Sequence, residues 1–268
     1  MILARIVAAV VLLWAAGSSA AAPATLPHFP SPEAAVAALV QATRASDTAM
    51  LLGVLGPDAR ALVASGDDVA DRQSRERFVR AYDEAHRLAE VGPGMRVLTV
   101  GRDEWPMPIP LVQDAAGWWF DTSRGREEIL NRRIGRNELS AVQVCLAYVD
   151  AQREYYVRDP DGDALLQYAQ RFRSTPGKRD GLYWDARPDE APSPLGALVA
   201  RAEAAGYPTK RPSGGRIPYW GYYYRIVKAQ GPHAPGGAYD YVVRGNMIGG
   251  FALVAYPAEY GASGVMTF

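Results

Sequence analysis

The spacing of apolar residues changes character twice along this chain, and those changes point to an α+β architecture. From Ser31 to about residue 90 the spacing is helical. Ser31 followed by Pro32 combines a capping hydroxyl with a preset first φ, and Val36, Leu39, Val40 and Thr43 then share one helix face. A second short helix is expected after Asp47, with Gly56-Pro57 as the turn behind it. A longer one is expected over 71–90, where Phe78, Val79, Tyr82, Ala85 and His86 form a stripe. From Gly92 the period becomes extended. Met95–Gly101, Met107–Gln113 and Gly117–Thr122 read as strands, joined by a hairpin turn over Asp114 to Gly117. Pro106, Pro108 and Pro110 cannot donate to a ladder, so their strand is expected at an edge or with a bulge. Helices followed by a curled antiparallel sheet predict a cone-like first domain over 22–133.

The second change of period begins the longest helical stretch, Thr122 to Asp159. Gly135 is expected to divide it and Asn137 to cap its second part. Leu139, Val142, Cys145, Leu146, Val149 and Arg153 follow a 3–4 spacing and give one apolar face. A polar loop and a proline-rich linker ending at Pro194 come next, then a helix over Leu195–Ala205 that Gly206 ends. Tyr219–Ala229, Tyr239–Arg244, Ile248–Tyr256 and Val265–Phe268 read as strands. The second domain, 134–268, is therefore a long helix packed on an antiparallel sheet.

The first 21 residues read as a signal peptide. Met1 to Arg5 make a short basic start, Ile6 to Ala16 an uncharged apolar run, and Gly17 to Ala22 supply small side chains for cleavage after Ala20 or Ala21. The run is shorter than the ~20 residues of a membrane-spanning helix, and no later segment is longer, so no transmembrane segment is expected after cleavage. An uncleaved anchor is the alternative. The expected location is periplasmic or secreted. Loss of Arg5 with the leader puts the 29 acidic residues one ahead of the basic ones, which gives no electrostatic basis for binding nucleic acid. Cys145, the single cysteine, lies in an apolar helical pattern and reads as buried.

Four stretches carry a family resemblance. They are Ile134-Gly135-Arg136-Asn137-Glu138, the run from Ala147 to Tyr155, the run from Ser174 to Trp184, and Phe251 to Gly261. With the Ser31-Pro32-Glu33 helix start, the chain resembles an uncharacterised family of exported bacterial proteins, domain of unknown function 2950, across essentially all of its mature length. The family implies no activity. At fold level the first half is similar to the nuclear-transport-factor-2 type, an analogy without functional content. The second half also resembles pilin-like globular domains, through its Ala151-Gln152-Arg153-Glu154-Tyr155 helix end, an Asp-rich loop, and Tyr256-Pro257-Ala258-Glu259-Tyr260-Gly261 in a meander. Gly135 to Glu138 are polar where pilins carry a membrane-seated half, which implies a soluble relative. The family resemblance implies a further strand past Phe268, so either the edge beside Val265–Phe268 is open to a partner strand or the ending is a truncation.

Two motifs suggest ligands. Asp159, Asp161 and Asp163 stand at alternate positions of one loop and can converge on Ca²⁺. An EF-hand loop would need glycine and glutamate where Ala164 and Gln170 stand, so a solvated acidic turn is the other reading. Tyr219, Trp220, Tyr222 and Tyr224 put aromatic rings on both faces of one strand, as a platform for a sugar or peptide or as ordinary packing. Catalytic patterns are weak. Ser263 lacks a nucleophile-elbow frame, and His28, His86 and His233 share no metal-ligand spacing. The expected function is a non-catalytic exported accessory protein acting by binding or assembly, with a protein or cell-envelope component as partner and no cofactor unless calcium. The alternative is an envelope hydrolase whose site forms only in the fold, with Arg179, Asp180 and Glu259 as groups to watch. A third reading is a calcium-stabilised structural module.

Overall fold

The computed structural model describes residues 26–160, 162, 164–208 and 216–268, so the leader expected over 1–21, Asp161 and Asp163 lie outside the described residues. Helix α1 (Pro32–Ala45) begins where Ser31 predicts, with Ser31 Oγ accepting the Ala34 amide at 3.1 Å. Helix α2 (Thr48–Leu55) is capped by Asp47, whose Oδ1 accepts the Ala49 and Met50 amides at 2.8 and 3.1 Å. Gly56, at φ 87°, leads through a 3-10 turn into the short α3 (Arg60–Val63). Helix α4 (Asp68–Glu84) follows, with Asp67 as its cap.

The helix expected over 71–90 stops at Glu84. His86 opens strand β1 (His86–Gly92), which pairs antiparallel with β2 (Met95–Val100) and sets Leu88 opposite Leu98. The hairpin satisfies the backbone of this segment and still packs Leu88 on the core, while Phe78, Ala81 and Tyr82 do the same from α4. His86 therefore leaves the helical stripe. Its ring stacks on Tyr82 at 3.8 Å between centroids.

Strands β3 (Trp105–Pro106), β4 (Leu111–Asp114) and β5 (Gly117–Phe120) complete the first sheet, in the order β1-β2-β4-β5 with β3 also on β2. The proline-rich stretch is broken in two: β3, which carries Pro106, pairs with β2 alone and so lies at an edge, whereas β4, past the prolines, lies between β2 and β5. Residues 105–106 pair with the end of β2 and residues 111–112 with its start. Between them Met107 donates to Leu98 O at 2.8 Å, and Pro108 and Pro110 have no N–H to place. Asp114 Oδ1 accepts the Ala116 and Gly117 amides and tightens the β4–β5 hairpin. The sheet is not closed, and Phe29 covers its β5 edge by exchanging backbone hydrogen bonds with Trp118 at 2.7 and 2.8 Å. The core beneath it holds Leu39, Leu51, Leu98, Ile109, Leu111 and Phe120, each worth about 1.5–3 kcal/mol on burial.

Helix α5 (Thr122–Arg158) is a single element of 37 residues, about 55 Å long at 1.5 Å per residue. It starts against the sheet, where a Cβ on Gly125 would fall 2.6 Å from the Pro108 carbonyl. Gly135 does not divide it and Asn137 does not cap it. A helical glycine costs about 1 kcal/mol relative to alanine, less than the anchored turns on either side supply. The buried face also differs from the expected one. Asn137, Ala141, Val144, Tyr148, Ala151, Gln152 and Tyr155 face inward, whereas Leu139 and Leu146 are 71% and 54% exposed. Two adjacent rows both satisfy a 3–4 spacing, and the inner one offers small alanines for close approach plus polar tips that find partners. Cys145 is half-buried.

Helix α6 (Gly196–Ala204) ends at Gly206, at φ 83°. Beyond it lie β6 (Tyr222–Val227), β7 (Ala229–Gln230), β8 (Tyr239–Asp240), β9 (Val242–Val243), β10 (Asn246–Met247) and β11 (Ala252–Pro257). They form three antiparallel ladders, β6 with β11, β7 with β8, and β9 with β10. Phe268 exchanges both backbone hydrogen bonds with Ala255, at 2.9 and 2.8 Å, on the other side of β11. Helix α5 packs on this half through Tyr148, whose hydroxyl donates to Ala252 O at 3.2 Å. The architecture is α+β. Among the described residues no helix is long and apolar enough to cross a membrane.

Candidate functional site

A cleft of about 980 Å³ opens between α4, the turn after β2, and α5, within the size range of small-ligand sites. Helix α4 contributes Asp71, Arg77 and Phe78, the turn contributes Arg102, β3 contributes Trp105, α5 contributes Arg133, Arg136 and Leu139, and Trp220 also lines the cleft.

Most of the charge lining it is already engaged. Arg133 donates from Nη1 to Ala61 O at 2.6 Å and from Nη2 to Leu62 O, covering the last carbonyls of α3. Burial pushes its pKa down, and the nearby Asp71 carboxylate opposes that. Asp71, itself buried, accepts the Ser65 amide at 2.8 Å. Arg102 pairs with Glu84 at 2.6 Å, and Arg132, beside the cleft, pairs with Glu128 while lying over the Trp105 ring at 5.6 Å. Asp103 stands at the exposed rim. Two guanidinium groups are left over. Arg77 donates only to Ser74 Oγ, at 2.8 Å, and among the described residues neither Arg77 nor Arg136 has a carboxylate partner. Burial, then the charges of Arg77 and Arg132, hold the Arg136 pKa below its usual value, so like charges face each other from α4 and α5.

Trp220 is held on the wall by a buried carboxylate. Asp67, 1% exposed, caps α4 through Oδ1, which accepts the Ala70 amide at 3.0 Å. Its Oδ2 accepts the Tyr207 hydroxyl at 2.9 Å and the Gly221 amide at 2.8 Å, and the Tyr207 oxygen in turn accepts the Trp220 amide at 3.1 Å. Burial pushes the Asp67 carboxyl up, against the pull of these hydrogen bonds, and burial with the Asp67 charge pushes Tyr207 up as well. Trp220 adopts φ 51° and Gly221 φ 75°. A Cβ on Gly221 would lie 2.4 Å from Asn137 Nδ2. Asn137 donates instead to Ser263 O at 2.9 Å, and Glu138 Oε1 accepts the Val265 and Met266 amides at 3.0 Å each. Within Arg136-Asn137-Glu138, two side chains clamp the last loop to α5 and the first is left facing the cleft.

Of the aromatic quartet, only Trp220 lines the cleft. Tyr222 is fully buried, its hydroxyl donating to Met266 O at 3.0 Å; burial first, then Glu138, pushes its pKa up to about 12. Tyr219 packs edge-on against Tyr207 at 4.9 Å, with its hydroxyl buried and, among the described residues, unpartnered. Tyr224 donates to Tyr219 O at 3.4 Å. Asp159 adopts φ 44° and its Oδ2 accepts the Ala164 amide at 3.0 Å; Asp161 and Asp163 fall outside the described residues, among which no cluster of three metal-ligating side chains occurs. Arg179, Asp180 and Glu259 do not line the cleft. Asp180 accepts the Thr175 amide and hydroxyl at 2.7 and 2.8 Å, and Arg179 pairs with Glu190 at 3.2 Å. Ser263 is buried, its Oγ donating to Glu259 O at 3.0 Å. Arg77 and Arg136 were invisible to motif reasoning, because single arginines on two distant helices carry no spacing signal.

A protein-family model described as Protein of unknown function (DUF2950) matches residues 27–268, a span that takes in every wall of the cleft. A search of curated proteins finds no match to the chain, and a search of solved structures finds none either.

Proposed function

The chain belongs to the DUF2950 family of proteins of unknown function, and we propose that it is a non-catalytic exported accessory protein that binds a protein or cell-envelope partner in the α4–α5 cleft. The observation that carries this reading is the contrast within the cleft. Its walls are fixed by bonds internal to the fold, while Arg77 and Arg136 have no carboxylate partner among the described residues. Groups held ready without a structural duty are what a binding surface needs. Export rests on the basic start and the apolar run Ile6–Ala16.

The test is a comparison of wild type with Ser140→Trp, which fills the α5 wall. Both proteins are tagged, expressed with their own leader, and used to capture partners from envelope extract. A partner retained by wild type and lost by the variant is the expected result; equal capture by both overturns the cleft assignment. The same cells report location. The protein is expected outside the cytoplasm with residue 21 or 22 as its first, and full-length protein in the cytosol overturns export.

One observation favours a second, compatible property. Among the described residues, Asp159 Oδ1 is buried without a hydrogen-bond partner, as a carboxylate oxygen meant for a cation would be. Calcium held by Asp159, Asp161 and Asp163 should raise the melting temperature relative to chelator-treated protein, and equal melting temperatures remove the idea.

A further inference from the structure

Taking the cleft as the binding site, we infer that its occupant is an acidic peptide segment, one carboxylate of which is held jointly by Arg77 and Arg136. The two arginines stand on different helices, α4 and α5, and both line the same cleft. Every other arginine there is engaged: Arg133 on the α3 carbonyls and Arg102 on Glu84. Two like charges brought together by rigid helices destabilise each other until an anion lies between them. A guanidinium presents a planar fork of donors that matches the two oxygens of a carboxylate, so the pair selects for that group.

The surroundings choose between sources of carboxylate. Leu139 projects from α5 at 71% exposure, three residues after Arg136, and Phe78 directly follows Arg77 on α4. An apolar side chain adjoining the acidic one would cover both. An acidic sugar would instead want a free aromatic face to stack on. Arg132 already lies over Trp105, Tyr207 and Tyr219 pack against Trp220, and Phe78 is packed on the core. The cleft thus offers an anion seat beside apolar surface, which is the chemistry of a peptide with alternating acidic and apolar residues.

The experiment uses the mature chain and three probes: a labelled peptide alternating glutamate and leucine, the same peptide with glutamine in place of glutamate, and labelled oligogalacturonate. Anisotropy should show the glutamate peptide binding about tenfold or more tighter than the glutamine one, as expected for charge-assisted hydrogen bonds. Raising the salt concentration should weaken it. Arg77→Gln and Arg136→Gln should each cost a similar factor without lowering the melting temperature, since among the described residues neither side chain pairs with a carboxylate and each change relieves like-charge repulsion. Indifference to glutamate against glutamine, failure of both peptides to bind, insensitivity to the arginine changes, or preference for the galacturonate each overturns the proposal. Envelope capture separates this inference from the reading beneath it. A partner lost with Ser140→Trp but kept by both glutamine variants leaves the cleft standing and removes the acidic-peptide rule. A partner kept by Ser140→Trp removes the cleft itself.

Discussion

Asp67 Oδ2 accepts the Gly221 amide at 2.8 Å, joining the start of α4 to the turn that carries Trp220, 154 residues away in sequence. The same carboxylate receives the Ala70 amide and the Tyr207 hydroxyl. Replacing it with alanine strands three buried donors, each costing about 1–3 kcal/mol when left without a partner. Asp67→Ala should therefore lose at least about 3 kcal/mol in urea unfolding, and a loss below about 1 kcal/mol would show that the clasp is dispensable.

Acidity acts on the same carboxylate. Burial raises the Asp67 pKa above its ordinary 3.8, so the folded protein holds this proton more tightly than the unfolded chain does. The sign follows: the contribution of Asp67 to stability is greatest below the ordinary value and declines as pH rises through the folded value. Stability of wild type relative to Asp67→Asn, followed from about pH 3 to pH 7, should fall with rising pH. A difference that is flat or rises contradicts the shift.

Two glycines should respond in opposite directions to alanine. At Gly221 the backbone is left-handed and a Cβ would meet Asn137 Nδ2 at 2.4 Å, so Gly221→Ala should cost about 2 kcal/mol or more and loosen Trp220, visible as a shift in tryptophan emission. At Gly135, in mid-helix, no atom beyond its chain neighbours and the helix's own backbone lies within 4 Å of the position a Cβ would take. Gly135→Ala should stabilise the protein by about 0.5–1 kcal/mol; destabilisation there would mean that α5 needs a break at this point.

Gln152 is a fourth test. Its amide bonds the Ala169 N–H and C=O, both at 2.8 Å, and donates to the Tyr148 hydroxyl at 2.9 Å, all in the buried interior. Gln152→Leu keeps the volume and removes the partners, leaving two buried backbone groups unsatisfied. A loss of about 2–4 kcal/mol in thermal or urea unfolding is expected, with hydrogen exchange at Ala169 accelerated.

Local chemistry made much of the architecture readable. Ser31, Asp47 and Asp114 each act through a side-chain oxygen on amides two or three residues ahead, and such short-range devices declare themselves in sequence. Leu88 did not, because its place is set by Leu98 on a partner strand rather than by its neighbours. The rotation of α5 was hidden for a related reason. Leu139 and Leu146 satisfy the same periodicity as Ala141, Tyr148 and Ala151, and only the surface that α5 meets decides between the rows. The cleft was least legible of all. Its distinguishing property is that, among the described residues, Arg77 and Arg136 have no carboxylate partner while Arg102 pairs with Glu84 and Arg133 caps α3, and a missing partner leaves no trace in a string of letters.

The unbroken course of α5 has a mechanical consequence. A stiff rod that begins under the Pro108 carbonyl and ends beside the Asp159 turn transmits bending and twisting between the regions it crosses, so the jaws around Arg136 cannot swing open on a pivot at Gly135. Thermal denaturation should accordingly proceed in one cooperative step, with neither half melting ahead of the other.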